Sequence, residues 1–96
     1  MLVQKKEVGV IYECLYKSSN ILKSVYDKDK KNLIITFNYG GVYEYLDVGY
    51  KDYVRFENDE SQGKVFSKYI KNHETNKKEK VDVTEYLEVV KSLMKG

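Results

Sequence analysis

Three lysines and a glycine in one segment form a pattern that suits binding of a phosphate group. Ser61 is a favourable N-cap residue, and Gly63 in the first turn leaves room for a ligand close to the backbone. The unpaired N–H groups at a helix start attract anions. Lys64, Lys68 and Lys71 follow at i, i+4 and i+7, so they share one face of an α-helix. The same pattern also fits a capped amphipathic helix whose lysine face is only solvated.

Tyr43 and Tyr45 lie two residues apart in an apolar run, so both rings project from the same face of a strand. Rings that face solvent could stack on bases, which contributes roughly 1–3 kcal/mol per base. Rings that face inward would belong to the core, and the charge of Glu44 on the opposite face favours that orientation. A position at the edge of a groove, with half-buried rings and exposed hydroxyls, would satisfy both interpretations.

Ser18, Ser19 and Asn20 are three short polar residues that directly precede the apolar run from Ile21 to Tyr26. Such side chains hydrogen-bond a ribose or a phosphate, and they also build turns by bonding their own backbone. The sequence leaves both roles open. The candidate ligand-binding residues are therefore Ser18, Ser19, Asn20, Tyr43, Tyr45, Ser61, Gly63, Lys64, Lys68 and Lys71.

Residues typical of catalytic and metal sites are few. His73 is the single histidine, and it lies beside Glu74 in a polar segment where exposure is expected. Cys14 has no basic neighbour in the sequence and sits in a strand-like run, which favours a buried thiol over a nucleophile. No cluster of Cys, His and carboxylate residues has metal-ligand spacing. We therefore expect no enzymatic activity, no metal and no cofactor.

The elements that position the candidate residues begin with strands. Alternating apolar residues predict one strand within residues 1–17, and three runs rich in β-forming residues predict three more. The polar segment 27–32 and the pair Gly40-Gly41 are short connections, which favour an antiparallel meander. The three predicted strands after residue 17 are Ile21–Tyr26, Leu33–Phe37 and Val42–Leu46.

Helical spacing begins after Gly49. It predicts a first helix from Tyr50 to about Asn58 and a second helix after Ser61. Residues 72–80 contain no apolar side chain, so a solvated linker is expected there. A third helix is predicted within residues 81–96, after a capping box, and it must bury its stripe against the sheet or another subunit. That apolar stripe consists of Val83, Tyr86, Leu87, Val90, Leu93 and Met94.

Length and charge bound the class of protein. The 96 residues suffice for one domain with one core. Seventeen basic and 15 acidic residues give a formal net charge of +2, too balanced for binding a polyanion by bulk electrostatics. The single cysteine indicates a reducing compartment. No apolar run is long enough for a signal peptide or a membrane span, so a soluble cytoplasmic protein without a membrane partner is expected.

Three spaced motifs resemble a known family, the KTSC domain. They are Ser18-Ser19-Asn20-Ile21, the central Tyr43-Glu44-Tyr45, and a third segment from Ser61 to Ile70 that contains Gly63, Lys64 and Phe66. The resemblance covers residues 18–71, with an N-terminal strand extension, residues 1–17, and a C-terminal helix, residues 81–96, added to it. The family is found alone in bacterial and phage proteins and at the C-terminus of some lysyl-tRNA synthetases, and RNA binding is suggested for it.

These observations predict an α+β domain, with an antiparallel sheet of three or four strands followed by helices packed on one side. The resemblance and the candidate site together favour a non-enzymatic binding module for a nucleotide or a short RNA. In a phage, such a module would counter host defence by sequestering a nucleotide signal. The alternative is an inhibitor that binds a host defence protein directly. A homo-oligomer that pairs through the C-terminal stripe is also expected.

Overall fold

The computed structural model describes residues 1–95, which form one antiparallel sheet and three helices. The six strands are β1 (Leu2–Val8), β2 (Ile11–Tyr16), β3 (Ile21–Asp27), β4 (Asn32–Phe37), β5 (Val42–Tyr45) and β6 (Thr75–Lys78), and neighbours in sequence are neighbours in the sheet. The helices are α1 (Tyr50–Asn58), α2 (Gln62–Val65) and α3 (Thr84–Lys95), and α2 continues directly into a π-helical turn over Phe66–Ile70. The predicted α+β meander is therefore confirmed.

The number of strands was predicted wrongly, because the sheet has six strands rather than three or four. The N-terminal extension folds as a hairpin of two strands, since Gly9 at φ +59° reverses the chain between β1 and β2. The expected linker contains β6, whose four residues are all exposed. A strand at the edge of a sheet can be held by backbone hydrogen bonds to its one neighbour. Its side chains need not be apolar, so the amino-acid composition of residues 75–78 does not indicate a strand.

The helices lie on both faces of the sheet, which corrects the prediction of helices on one side. On the first face, α1, α2 and the π-helical turn pack over the central strands through a cluster that includes Tyr12, Cys14, Tyr53 and Phe56. On the second face, α3 packs through Val83 and Val90 on Leu15 and Leu22. Successive side chains of a strand alternate between faces, so Leu15 of β2 points away from Cys14 and Tyr16.

A stack of tyrosines forms the centre of the first face. The ring of Tyr53 in α1 lies parallel to that of Tyr26, with centroids 4.1 Å apart and an interplanar angle of 3°. Tyr12 flanks both rings, with its centroid 5.8 Å from that of Tyr53. The hydroxyl of Tyr26 donates a 2.6 Å hydrogen bond to the carbonyl of Val48, which satisfies its polar end inside the core. These tyrosines are therefore packing residues and supply no binding surface.

Candidate functional site

A pocket of about 430 Å³ lies where the turn before β3, the β4–β5 connection and α2 meet. Its volume falls within the range of about 300–1,000 Å³ that small-molecule sites occupy. Four of the predicted site residues line it, namely Ser19, Asn20, Gly63 and Lys71. Residues that are distant in sequence are thus brought together at one concave surface, and we call it the turn–helix pocket.

The turn that carries Ser19 and Asn20 is shaped by Ser18. The Ser18 hydroxyl oxygen accepts hydrogen bonds from the backbone N–H groups of Asn20 and Ile21, both at 3.3 Å. Asn38 fixes the same turn, because its side-chain amide donates to the Ser18 carbonyl at 2.9 Å. Ser18 therefore has the turn-forming role, while the side chains of Ser19 and Asn20 are exposed at the pocket.

The start of α2 closes the other side of the pocket. Ser61 is the N-cap, as predicted, and its hydroxyl accepts a 3.3 Å hydrogen bond from the N–H of Lys64. The Ser61 hydroxyl therefore caps the helix, and Ser61 does not line the pocket. Gly63 lies opposite the turn, where an added Cβ atom would be 3.8 Å from Asn20 Nδ2. The absence of a side chain at position 63 keeps the pocket open between the helix and the turn.

The three predicted lysines are separated by the π-helical turn. Lys71 lines the pocket, and its N–H donates to the carbonyl of Phe66 at 2.9 Å, an i to i+5 bond. This wider turn shifts the following residues away from the i, i+4, i+7 face that an α-helix would give. Lys64 and Lys68 are exposed and do not line the pocket, and Lys68 Nζ lies 5.3 Å from the ring centroid of Tyr69.

Aromatic rings outside the predicted set of site residues form one wall of the pocket. Phe37 packs edge-on against Phe66 at a centroid distance of 5.6 Å, and it stacks with Tyr39 at 6.0 Å. Tyr39 is 61% exposed, and its ring lies against Gly41, where a Cβ atom would be 2.5 Å from the ring carbons Cε2 and Cζ. The signal that could have found it is a large aromatic residue directly before two glycines in a tight turn.

Tyr43 and Tyr45 face inward, on the same side of β5, which decides between the two interpretations of their role. Tyr45 is 5% exposed and packs edge-on against Phe66 at 5.4 Å. Its burial raises the pKa of the hydroxyl to about 12. Tyr43 is half-buried beside the pocket, and its hydroxyl accepts a hydrogen bond from that of Tyr39 at 3.4 Å. Tyr45 is thus a core residue, and Tyr43 supports the aromatic wall from behind.

Strand β6 and the residues after it, which were predicted as a linker, add lysines near the pocket. Lys77 pairs with Tyr43 in the sheet register, so its side chain is on the same face as the pocket. Lys80 follows β6, and its Nζ lies 5.7 Å from the ring centroid of Tyr39. Lys71 at the pocket, Lys80 beside Tyr39 and Lys77 on the same face of the sheet thus place three positive charges on this side of a nearly neutral chain.

A second group of chemically active side chains is buried beneath α1. Glu57 is 5% exposed, and its carboxylate accepts from Lys5 Nζ at 2.9 Å and from the Tyr53 hydroxyl at 2.8 Å. The Cys14 thiol donates to the same carboxylate at 3.6 Å. Burial raises the pKa of Cys14, which favours the unreactive thiol form. This cluster is a packing feature of the core that joins β1, β2 and α1.

The remaining candidates for catalysis or metal binding have structural surroundings. His73 is half-buried, and its Nδ1 lies 2.9 Å from the carbonyl oxygen of Leu46. Within residues 1–95, no group of three or more His, Cys, Asp or Glu side chains is placed to hold a metal ion. The described part of the chain also contains no helix that is long and apolar enough to cross a membrane.

Comparisons with known proteins agree on one family. The family model described as the KTSC domain matches residues 17–73, which include the turn before β3, α2 and the whole turn–helix pocket. A crystal structure of a KTSC domain protein from Yersinia pestis is similar, with a TM-score of 0.67 and 31% sequence identity. The match covers 72% of this chain and 99% of that chain. No curated protein matches the sequence. On the model match and this structural relative, the chain belongs to the KTSC domain family.

Proposed function

We propose that this protein is a non-enzymatic binding module for a phosphate-bearing ligand, either a nucleotide or a short RNA. The observation that carries the proposal is the convergence of Ser19, Asn20, Gly63 and Lys71 on one pocket beside the exposed ring of Tyr39. Polar side chains, a cation and an aromatic face are the three kinds of group that a nucleotide needs for its ribose, phosphate and base.

In this proposal, each side of the pocket contacts a different part of the ligand. A base stacks on the outer face of Tyr39, whose ring is held in place by Phe37 and Gly41. The phosphate lies on the helix side near Lys71. Within residues 1–95, the Asn20 side-chain amide and Lys71 Nζ make no hydrogen bond or ion pair with other protein side chains. Both groups are therefore available to a ligand.

Charge favours a small ligand over a long nucleic acid. Proteins that neutralise many phosphates carry a strong basic surplus, because each phosphate contact needs a cation. This chain has a net charge of +2, and its positive residues at the site are Lys71, Lys77 and Lys80. The ligand consistent with this charge carries one to a few phosphates. In a phage, such a protein would act against host defence by sequestering a nucleotide signal.

A matched pair of variants tests the proposal. Native mass spectrometry of the protein purified from cells detects any ligand that it retains. Titration with ribonucleoside monophosphates and with a short single-stranded RNA then measures the binding of added ligand. We expect binding by the unsubstituted protein and by Lys64→Ala, and loss of binding in Lys71→Ala, because only Lys71 lines the pocket. Equal binding by Lys71→Ala and the unsubstituted protein would place the ligand elsewhere, and no binding of any probe would reject the proposal.

One observation favours the alternative function, binding of a protein such as a host defence factor. Leu87, Leu93 and Met94 of α3 are 41–45% exposed, so the predicted apolar stripe is only partly covered by the sheet. An exposed apolar patch of this kind often marks a protein interface. The expected homo-oligomer would use the same residues, and it stays a prediction. Size-exclusion chromatography with light scattering distinguishes a dimer from a monomer that is free to bind another protein.

A further inference from the structure

A groove of about 460 Å³ runs between α3 and the sheet and extends to Ser18 and Asn38 beside the turn–helix pocket. Its floor includes Leu22 and Val90, which are 1% and 5% exposed. Leu87 and Met94 form its outer wall, and they are 41% and 45% exposed. These two residues lie about two helical turns apart, so the apolar wall follows the axis of α3. We call this surface the α3 groove.

The rim of the α3 groove is positively charged. Lys17, Lys91 and Lys95 line it, and all three are exposed. Among residues 1–95, no Asp or Glu lines the groove. The ion pairs of residues 1–95 involve other basic side chains, namely Lys5, Lys23, Arg55 and Lys78. Within residues 1–95, the three rim lysines thus form no ion pair, and an occupant with negative charge would complement them.

A second copy of the chain is the competing occupant of the same groove. Antiparallel pairing through α3 would set Glu85 and Glu88, near the start of one helix, opposite Lys91 and Lys95, near the end of the other. Glu88 also shares the outer side of α3 with Lys91 and Lys95 within one chain. These two glutamates do not match all three rim lysines, so an occupant with more acidic residues complements the rim better.

We infer that the α3 groove binds an acidic amphipathic helix of a protein partner. The row formed by Leu87 and Met94 offers an apolar strip to residues at i, i+4 and i+7 of a helix, which is the usual spacing of anchors in groove-bound helices. Acidic side chains on either side of these anchors would then reach Lys17, Lys91 and Lys95. The groove adjoins the turn–helix pocket, since Asn38 lines both, but the inference does not depend on the function proposed for that pocket.

A pair of synthetic peptides tests the inference on the full chain. Both peptides are labelled helices of about three turns with leucine anchors at i, i+4 and i+7, and one has glutamates beside the anchors where the other has lysines. Fluorescence anisotropy should show binding of the glutamate peptide that weakens as salt is added, since rim charges are screened by salt. Binding of the lysine peptide should be at least about tenfold weaker, because charge pairs across an interface set specificity.

Charge-reversal variants decide whether the groove itself is the site. Replacing Lys91 and Lys95 together by glutamate should exchange the preference between the peptides. The matched control, Lys64→Glu with Lys68→Glu, reverses two exposed lysines that do not line the groove, and it should leave the preference unchanged. Failure of the glutamate peptide to bind, or an unchanged preference in the groove variant, would overturn the inference. A dimer that buries α3, or tight binding to anionic lipid vesicles instead of the peptide, would also overturn it.

Discussion

The side-chain amide of Asn20 faces the backbone of Gly63 across the turn–helix pocket. A Cβ atom added to residue 63 would lie 3.8 Å from Asn20 Nδ2. Asn20 lies in the turn directly before β3 and Gly63 lies in α2, so the two residues bring the sheet and the helical layer together. Both were predicted as ligand-binding residues from separate motifs. Their proximity is the structural reason for treating those motifs as parts of one site.

Substitutions of Gly63 should separate stability from binding. Gly63→Ala should raise the free energy of unfolding by about 0.5–1 kcal/mol, because alanine favours the helix and the added methyl has room. Gly63→Glu should keep the fold and abolish nucleotide binding, since it places a negative charge at the phosphate side. Thermal unfolding and ligand titration of both variants check this. A Gly63→Glu protein that binds normally would contradict the position of the phosphate.

Gly41→Ala should displace Tyr39 without unfolding the protein. The new methyl would lie 2.5 Å from the ring carbons of Tyr39, so the ring must rotate away from the backbone. Because Tyr39 is 61% exposed, the free energy of unfolding should change by less than about 1 kcal/mol. Base stacking on that ring should be lost, and nucleotide affinity should fall about tenfold, the effect of losing roughly 1.4 kcal/mol. Tyr39→Ala should give the same loss, and unchanged affinity in both variants would exclude Tyr39 as the stacking residue.

The adjacent glycine should behave differently. Gly40 has φ +100°, a conformation that strains any residue with a Cβ atom, and the new methyl would collide with the Val81 carbonyl. Gly40→Ala should therefore lower the free energy of unfolding by at least about 2 kcal/mol. Chemical denaturation of the two alanine variants side by side checks the contrast. Equal stability of both would show that the β4–β5 turn tolerates rearrangement.

The strands β3 to β5 and helix α1 could be predicted from the sequence, because their apolar periodicity reports burial directly. Strand β6 could not, since its four exposed residues are held by backbone pairing with β5. The separation of Lys64 and Lys68 from Lys71 follows from the π-helical turn at Phe66, and side-chain spacing does not encode that change of helix type. Asn38 and Tyr39 were not predicted as site residues. Their contacts, such as the hydrogen bond from Asn38 to the Ser18 carbonyl, join parts of the chain that are distant in sequence.

Removal of the Glu57 carboxylate should destabilise the core strongly. Glu57→Ala leaves the Tyr53 hydroxyl and the Cys14 thiol without their buried acceptor, and it leaves Lys5 with only the exposed Glu7 as a partner. The expected loss is about 2–3 kcal/mol. Asp52→Ala is a matched control on the same helix, because Asp52 pairs with Arg55 at an exposed position and should cost less than about 1 kcal/mol. Equal losses in urea denaturation would show that burial of the Glu57 cluster does not matter.

Stability should fall steeply at alkaline pH. Burial raises the pKa values of Tyr16, Tyr26 and Tyr53 above the ordinary value of 10.0, and that of Tyr45 to about 12. Since these groups keep their protons in the folded chain and lose them first in the unfolded chain, the unfolded state binds fewer protons above pH 10. The free energy of unfolding should then decrease with pH, by roughly 1.4 kcal/mol per pH unit for each such tyrosine.

The buried thiol extends this alkaline range slightly downward. Burial also raises the pKa of Cys14 from its ordinary value of 9.0, so the decline should begin near pH 9 and continue towards pH 12. Urea denaturation at a series of pH values measures the free energy of unfolding. Tyrosinate absorbance of the folded protein measures the ionisation of the tyrosines in the same samples.

Tyr26→Phe should lower the free energy of unfolding by about 1 kcal/mol at neutral pH, because the hydrogen bond to Val48 is lost. In the same variant the free energy of unfolding should decrease less steeply at alkaline pH, since one fewer group ionises on unfolding. Titration of all the tyrosines of the folded protein at their ordinary pKa would contradict the burial of the stack.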